Sequence, residues 1–235
     1  ARTKARGSCF GEFVFECFKR TKCCIDSCCE LTSWVASGVW RHGFPEKVVV
    51  PETTTVVAQV HYHTLATAKH PFDEEAFVAN DKLCVKHYPI RTKVTLVGAS
   101  ISLLKQESYN LKRFKDQAIL LQLQKELKNT AFDFVIFESL FAAVYAPNLR
   151  PYSKAKFIYR AHNIEHQIWK DLAGNTKNLP KKWYLNQLAY SLKWAERSIW
   201  SEDQGGLDLI LTISDTDLSI IEGQTLTACR YLPAS

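Results

Sequence analysis

Methionine is missing from all 235 residues, position 1 included, so the sequence is expected to be a fragment, a processed chain or an incomplete reading frame. Long apolar runs are missing too. Nothing approaches the roughly 18 residues of a membrane-spanning helix, and no basic n-region with an apolar h-region opens the chain. A cytoplasmic protein is the expectation, at most resting on the inner face of the membrane. Blocks of like charge are absent, which argues against a nucleic-acid footprint. The net charge of +6 is spread evenly, with eight Lys/Arg against six Asp/Glu in residues 1–56 and 22 against 18 in residues 57–235. So mild a basic balance fits an anionic substrate or peripheral membrane contact equally well, and it also fits plain solubility. What is present, 46% hydrophobic and 23% charged residues, suffices for a sizeable core in one large domain or two small ones.

Glycine is scarce, and no glycine-rich phosphate loop opens the chain. Before residue 57 stand Gly7, Gly11, Gly38 and Gly43, none in a strand–glycine–helix setting. Cysteine is plentiful but unevenly placed: Cys9, Cys17, Cys23, Cys24, Cys28 and Cys29 precede residue 30, and Cys84 and Cys229 follow. A disulfide scaffold belongs to secreted chains, and no signal sequence supports one. Cys24 and Cys28 have an acceptable zinc-ligand spacing, but the second pair of a tetrahedral site is missing, since Cys9 and Cys17 lie too far apart and His42 stands alone. Residues 1–56 are therefore an unassigned leader. Residues 1–45 are expected to pack poorly and to hold no four-ligand metal site. Val48-Val49-Val50 and Thr53-Thr54-Thr55 favour extended backbone without a place in the fold.

From residue 57 the pattern is regular. Val56 to Thr64 alternates as a strand, with Val60 and Tyr62 opposite His61 and His63. Pro71 and Asp73-Glu74-Glu75 read as a loop opening a short helix, Val85 to Ile90 as a strand, and Gly98 to Lys105 as a short apolar helix. Leu111, Phe114, Ala118 and Leu121 recur at helical spacing within a long helix over Glu107 to Lys128, which Asn129 ends. Three strand–helix units follow. Phe132 to Phe137 precedes a helix over Leu140 to Leu149. Lys156 to Tyr159 precedes one over Asn163 to Ala173, and Leu207 to Ile213 precedes one over Thr216 to Glu222. A long helix from Pro180 to Asp203 separates the last two units, with Leu185, Leu188, Leu192, Ala195 and Ile199 on one face. Near-continuous apolar strands alternating with helices predict an α/β fold, a Rossmann-like parallel sheet with helices on both faces.

In such a sheet ligands bind outside the carboxyl ends of the strands. Those ends carry Glu138-Ser139, Arg160-Ala161-His162-Asn163 and Ser214-Asp215. Each has a plain structural reading beside the functional one. Ser214-Asp215 suits a helix N-cap, Glu138 suits the helix that follows it, and His162 suits a loop carbonyl. Against the last stands the company of His162: Arg160, Asn163, Glu165 and His166.

The segment from Tyr159 to Trp169, YRAHNIEHQIW, is very similar to the RAHNxExxxW signature of a group of bacterial family-4 glycosyltransferases. Glu107 to Phe114 resembles that group's SYNxxRF segment, Phe132 to Glu138 its FDxVxxE strand, and Thr67 to Phe72 its TxKHPF turn. Lys181 to Tyr184 and Leu209 to Asp215 fall where the group has their counterparts. The matches come in order over about residues 57–235, and by this resemblance that range is a glycosyltransferase N-terminal domain.

The resemblance implies one half of a GT-B fold. Such enzymes hold the acceptor on the N-terminal domain and a nucleotide-sugar on the C-terminal one. It implies that the chain serves transfer of a sugar to a glycan or lipid-linked acceptor, as in cell-envelope polysaccharide synthesis, with no cofactor and no metal. His162 and Glu138 would be catalytic, with His162 facing the transferred sugar. Arg113, Arg160, Asn163, Glu165 and Ser214 would bind substrate. The family's two glutamates eight positions apart do not occur here, so the chain is not expected to transfer sugar by itself. A non-catalytic α/β module that binds a sugar or nucleotide is the alternative, since fold does not settle chemistry. A cysteine-rich metal module fused to a degenerate domain is another.

Overall fold

The computed structural model describes residues 14–20, 58–68, 72, 83–90 and 108–233, with residues 14–20 and 58 described through their backbone. The strands β1 (Val14–Arg20), β2 (Ala58–Ala66), β3 (Leu83–Pro89), β4 (Phe134–Phe137), β5 (Lys156–Ala161), β6 (Leu209–Thr212) and β7 (Cys229–Tyr231) form one sheet. Their order is β3-β2-β1-β4-β5-β6-β7. β2 pairs with β3, and β4 through β7 pair in succession, all parallel. β1 runs antiparallel to both its neighbours, β2 and β4. Six strands therefore point one way and share a carboxyl-end rim, as the α/β Rossmann-like reading requires.

β1 corrects two expectations. It lies inside residues 1–56 yet sits in the middle of the sheet, so over Val14–Arg20 the leader is integral rather than poorly packed. It also makes the sheet mixed. Its sequence, VFECFKR, interleaves charge with apolar residues and so lacks the continuous run that marks a doubly buried parallel strand. Cys9, Cys23, Cys24, Cys28 and Cys29 lie outside the described residues, as do Val48 to Thr55, Asp73 to Glu75 and Gly98 to Lys105.

The eight α-helices among the described residues are α1 (Tyr109–Lys112), α2 (Gln117–Asn129), α3 (Leu140–Ala143), α4 (Ala146–Leu149), α5 (Glu165–Gly174), α6 (Leu179–Trp200), α7 (Glu202–Gly205) and α8 (Asp215–Glu222). The expected helix over Glu107 to Lys128 is in fact α1 and α2, broken at Arg113 to Asp116. Asp116 caps α2 by accepting from the N–H groups of Ala118 and Ile119 at 2.8 and 3.1 Å. The Tyr145 hydroxyl holds the break open, donating to the Phe114 carbonyl at 2.5 Å and accepting from the Asp116 N–H at 2.9 Å. The expected helix over Leu140 to Leu149 likewise divides into α3 and α4, and Pro147 falls in the first turn of α4. The expected Pro180 to Asp203 helix ends at Trp200, Ser201 stands extended, and α7 follows. Gly206 then turns the chain toward β6 with φ +66°, the left-handed region that favours glycine.

Period-two alternation gives the sheet two faces. Val135, Phe137, Phe157, Tyr159 and Ile210 face the main core with the apolar sides of α2, α3, α4 and α6. Val60, Ile136, Ile158, Leu211 and Leu232 form a smaller cluster on the other face. Burying a large apolar side chain contributes roughly 1.5–3 kcal/mol, and Phe137, Phe157, Leu192, Trp200 and Ile210 are all fully buried. β2 departs from simple alternation. His61 and His63 are buried along with Val60 and Tyr62, so both of its faces are covered.

Candidate active site

The register that pairs Phe137 with Tyr159 continues one step to set Glu138 beside Arg160. Alternation puts Glu138, Arg160 and His162 on the face of Ile136 and Ile158. Glu138 and Arg160 are each 2% exposed, and their Oε2 and Nη1 atoms lie 3.6 Å apart. The Nε2 of His162 lies 2.8 Å from the same Glu138 oxygen, and the His162 side chain is one-third exposed. A buried acid thus orients a histidine that reaches solvent, with Arg160 supplying the countercharge that a buried carboxylate requires. A carboxylate accepts, so the Nε2 of His162 is the donor in this contact. β4 and β5 are neighbours in the parallel run β4-β5-β6-β7, so the pair stands at its carboxyl-end rim, the edge where α/β sheets bind ligands.

The cap reading of Glu138 is excluded by its neighbour. Ser139 is the N-cap of α3, and its hydroxyl accepts from the Ala142 N–H at 3.4 Å. For Ser214 the cap reading holds, because its hydroxyl accepts from the Asp217 N–H at 3.4 Å. Ser214 still stands on the rim, one strand beyond the Glu138–His162 pair. Asn163 is exposed beside His162. Glu165 opens α5 half-buried, and burial first, then the charge of Glu196, raises its carboxyl to about 7. Burial also raises the carboxyl of Asp217. Arg113 sits at the end of α1, where it donates to Asn110 at 2.8 Å and lies over the Tyr109 ring at 5.4 Å. The structure thus gathers Glu138, Arg160 and His162 in direct contact, adjoins Asn163 in sequence, and gives Arg113 local partners on its own helix.

No protein-family model, curated protein or solved structure matches the chain. Function therefore rests on the site. Among the described residues, no helix is long and apolar enough to cross a membrane.

Two polar groups escaped the sequence reading. Glu196 is fully buried in α6. It accepts from the backbone N–H of Glu165 at 2.7 Å and of His166 at 3.2 Å, and from the His166 ring, so it closes the first turn of α5. The signal was legible: an acid midway between Leu192 and Ile199 on an apolar stripe. The second is the set His61, His63 and Glu126 on the main-core side of β2, away from the Glu138 rim. His61 Nδ1 lies 2.9 Å from Glu126 Oε1, and Lys86 Nζ lies 2.5 Å from Glu126 Oε2. Two histidines two apart on one strand were its signal.

Proposed function

We propose that this domain binds the acceptor of a sugar-transfer reaction, as the acceptor-side half of a glycosyltransferase that takes its sugar from a nucleotide donor. The observation that carries the reading is the contact of buried Glu138 with partly exposed His162, backed by Arg160, at the carboxyl-end rim. Transfer to a hydroxyl requires an acceptor for the hydroxyl proton, and a neutral imidazole that donates through Nε2 can accept at its other ring nitrogen. Glu138 keeps that tautomer and steadies the imidazolium once the proton arrives, which is the role of the acid in a nucleophile–His–acid set. Asn163 offers a further hydrogen bond to a sugar hydroxyl. The similarity of YRAHNIEHQIW to the glycosyltransferase signature directs this general chemistry toward sugars, with a glycan or lipid-linked acceptor.

The test is transfer of a radiolabelled sugar from nucleotide-sugar donors by the chain joined to a donor domain, alongside the chain alone. His162→Ala in the joined form should lose about 10²-fold or more in rate, and the chain alone should give no turnover, because the donor-binding half of such an enzyme is what closes water out of the site. Full activity in His162→Ala would refute the assignment.

A further inference from the structure

We propose that His61, His63 and Glu126 form a binding site for one divalent transition-metal ion of the zinc kind, which clips α2 to β2. One ring nitrogen from each histidine and one carboxylate oxygen all lie within 4.8 Å of one another. Two imidazoles and a carboxylate are a donor set that zinc takes, with a further position left for water. This inference is independent of sugar transfer and lies on the opposite side of the sheet from Glu138.

The rings are placed as ligands are placed. His63 is fully buried, and its Nδ1 lies 2.9 Å from the Tyr88 hydroxyl, with the two rings stacked at 5.8 Å. That contact settles which nitrogen His63 can offer, namely Nε2. The outer hydrogen bond that fixes the ring of a metal-bound histidine is of this type. His63 Nε2 and His61 Nε2 are both buried and have no hydrogen-bond partner, and a buried, unmatched polar atom is costly. His61 is held on its other side by an edge-on contact with Phe132 at 5.0 Å. With His61 offering Nδ1 beside Glu126, an ion would give His63 Nε2 the partner it lacks.

The competing occupant is Lys86, whose ammonium already pairs with Glu126. Its side chain is 41% exposed, against 18% for Glu126, so Lys86 can swing into water and release the carboxylate. A tetrahedral ion with bonds of about 2.0–2.2 Å spaces its ligand atoms about 3.4 Å apart. The His61–Glu126 contact of 2.9 Å therefore opens slightly when the ion enters.

The experiment uses the full, metal-stripped chain with ¹⁵N-labelled histidine, titrated with Zn²⁺ and followed by histidine ring NMR and calorimetry. Ring signals separate this site from any zinc held by the cysteines near the start of the chain. One equivalent should move the His61 and His63 ring nitrogens, identified by His61→Gln and His63→Gln. Glu126→Gln should weaken this binding about tenfold or more, and Tyr88→Phe about tenfold. Lys86→Gln, a change at a partly exposed residue, should tighten it. Histidine signals indifferent to Zn²⁺ in the folded chain and in Lys86→Gln would overturn the proposal, as would binding that Glu126→Gln leaves unchanged.

Discussion

The carboxylate of Glu196 accepts from the backbone N–H of Glu165 at 2.7 Å while its charge opposes ionisation of the Glu165 side chain. One buried acid therefore stabilises the start of α5 and makes the first side chain of that helix a weak acid. The helix so anchored follows directly on His162 and Asn163, so the cap also fixes the loop that presents them.

The pH dependence of stability follows from that relationship. Burial and Glu196 raise the Glu165 carboxyl from 4.5 to about 7. Between those values the folded chain holds more protons than the unfolded chain, so stability falls as pH rises through the interval and levels off above it. The loss is at most about 3 kcal/mol. His63 acts in the opposite sense. Burial lowers its ring from 6.5 to about 4, so its contribution grows as pH rises between 4 and 6.5. Comparing Glu165→Gln with wild type cancels the histidine. In chemical denaturation with a chelator present, the variant should gain on wild type from pH 5 to pH 7.5. Parallel profiles would contradict the raised carboxyl.

Glu196→Ala should destabilise the chain by about 3 kcal/mol or more, because it strands buried donors of Glu165 and His166 and leaves a cavity. The damage should be local first. Amide hydrogen exchange at Glu165 and His166 should accelerate before that of β4 and β5, and uniform acceleration would mean that the cap is not what Glu196 supplies.

Tyr145 is fully buried, and burial raises its hydroxyl to about 12. Tyr145→Phe keeps the ring but removes both hydrogen bonds at the break between α1 and α2. A loss of about 2 kcal/mol in urea unfolding is expected. A neutral outcome would show that the break is set by Asp116 capping alone.

The parts of this fold that were legible in sequence are those where one local rule governs. Val135, Ile136 and Phe137, and likewise Ile210 and Leu211, lie in strands covered on both faces, so their runs are apolar without alternation. The Leu185, Leu188, Leu192 and Ile199 stripe became the buried face of α6. What escaped depends on contacts distant in sequence. The break after Arg113 is held by a hydroxyl 29 and 31 residues away, and nothing between Glu107 and Lys128 announces it. β1 lies among other strands although its own residues alternate with charge. β7, with three residues, is too short for periodicity. At the site, strand ends pointed to Glu138, Arg160 and His162, but their mutual contact comes from the β4–β5 register, which sequence spacing does not encode.

Stability and function can be separated at that contact. Glu138→Ala leaves the buried Arg160 charge without the carboxylate, at a cost of about 3 kcal/mol, whereas replacing both partners with apolar residues of similar size costs far less. Glu138→Leu combined with Arg160→Met should therefore unfold at a higher urea concentration than Glu138→Ala. If Glu138 acts by holding the His162 tautomer, the double variant should still lose sugar transfer in the chain joined to a donor domain, because Nε2 no longer has its acceptor. The loss should approach that of His162→Ala, since removing either member of a pair that acts together disables both. A stable double variant with wild-type transfer would show that Glu138 and Arg160 serve packing alone and that His162 works unaided.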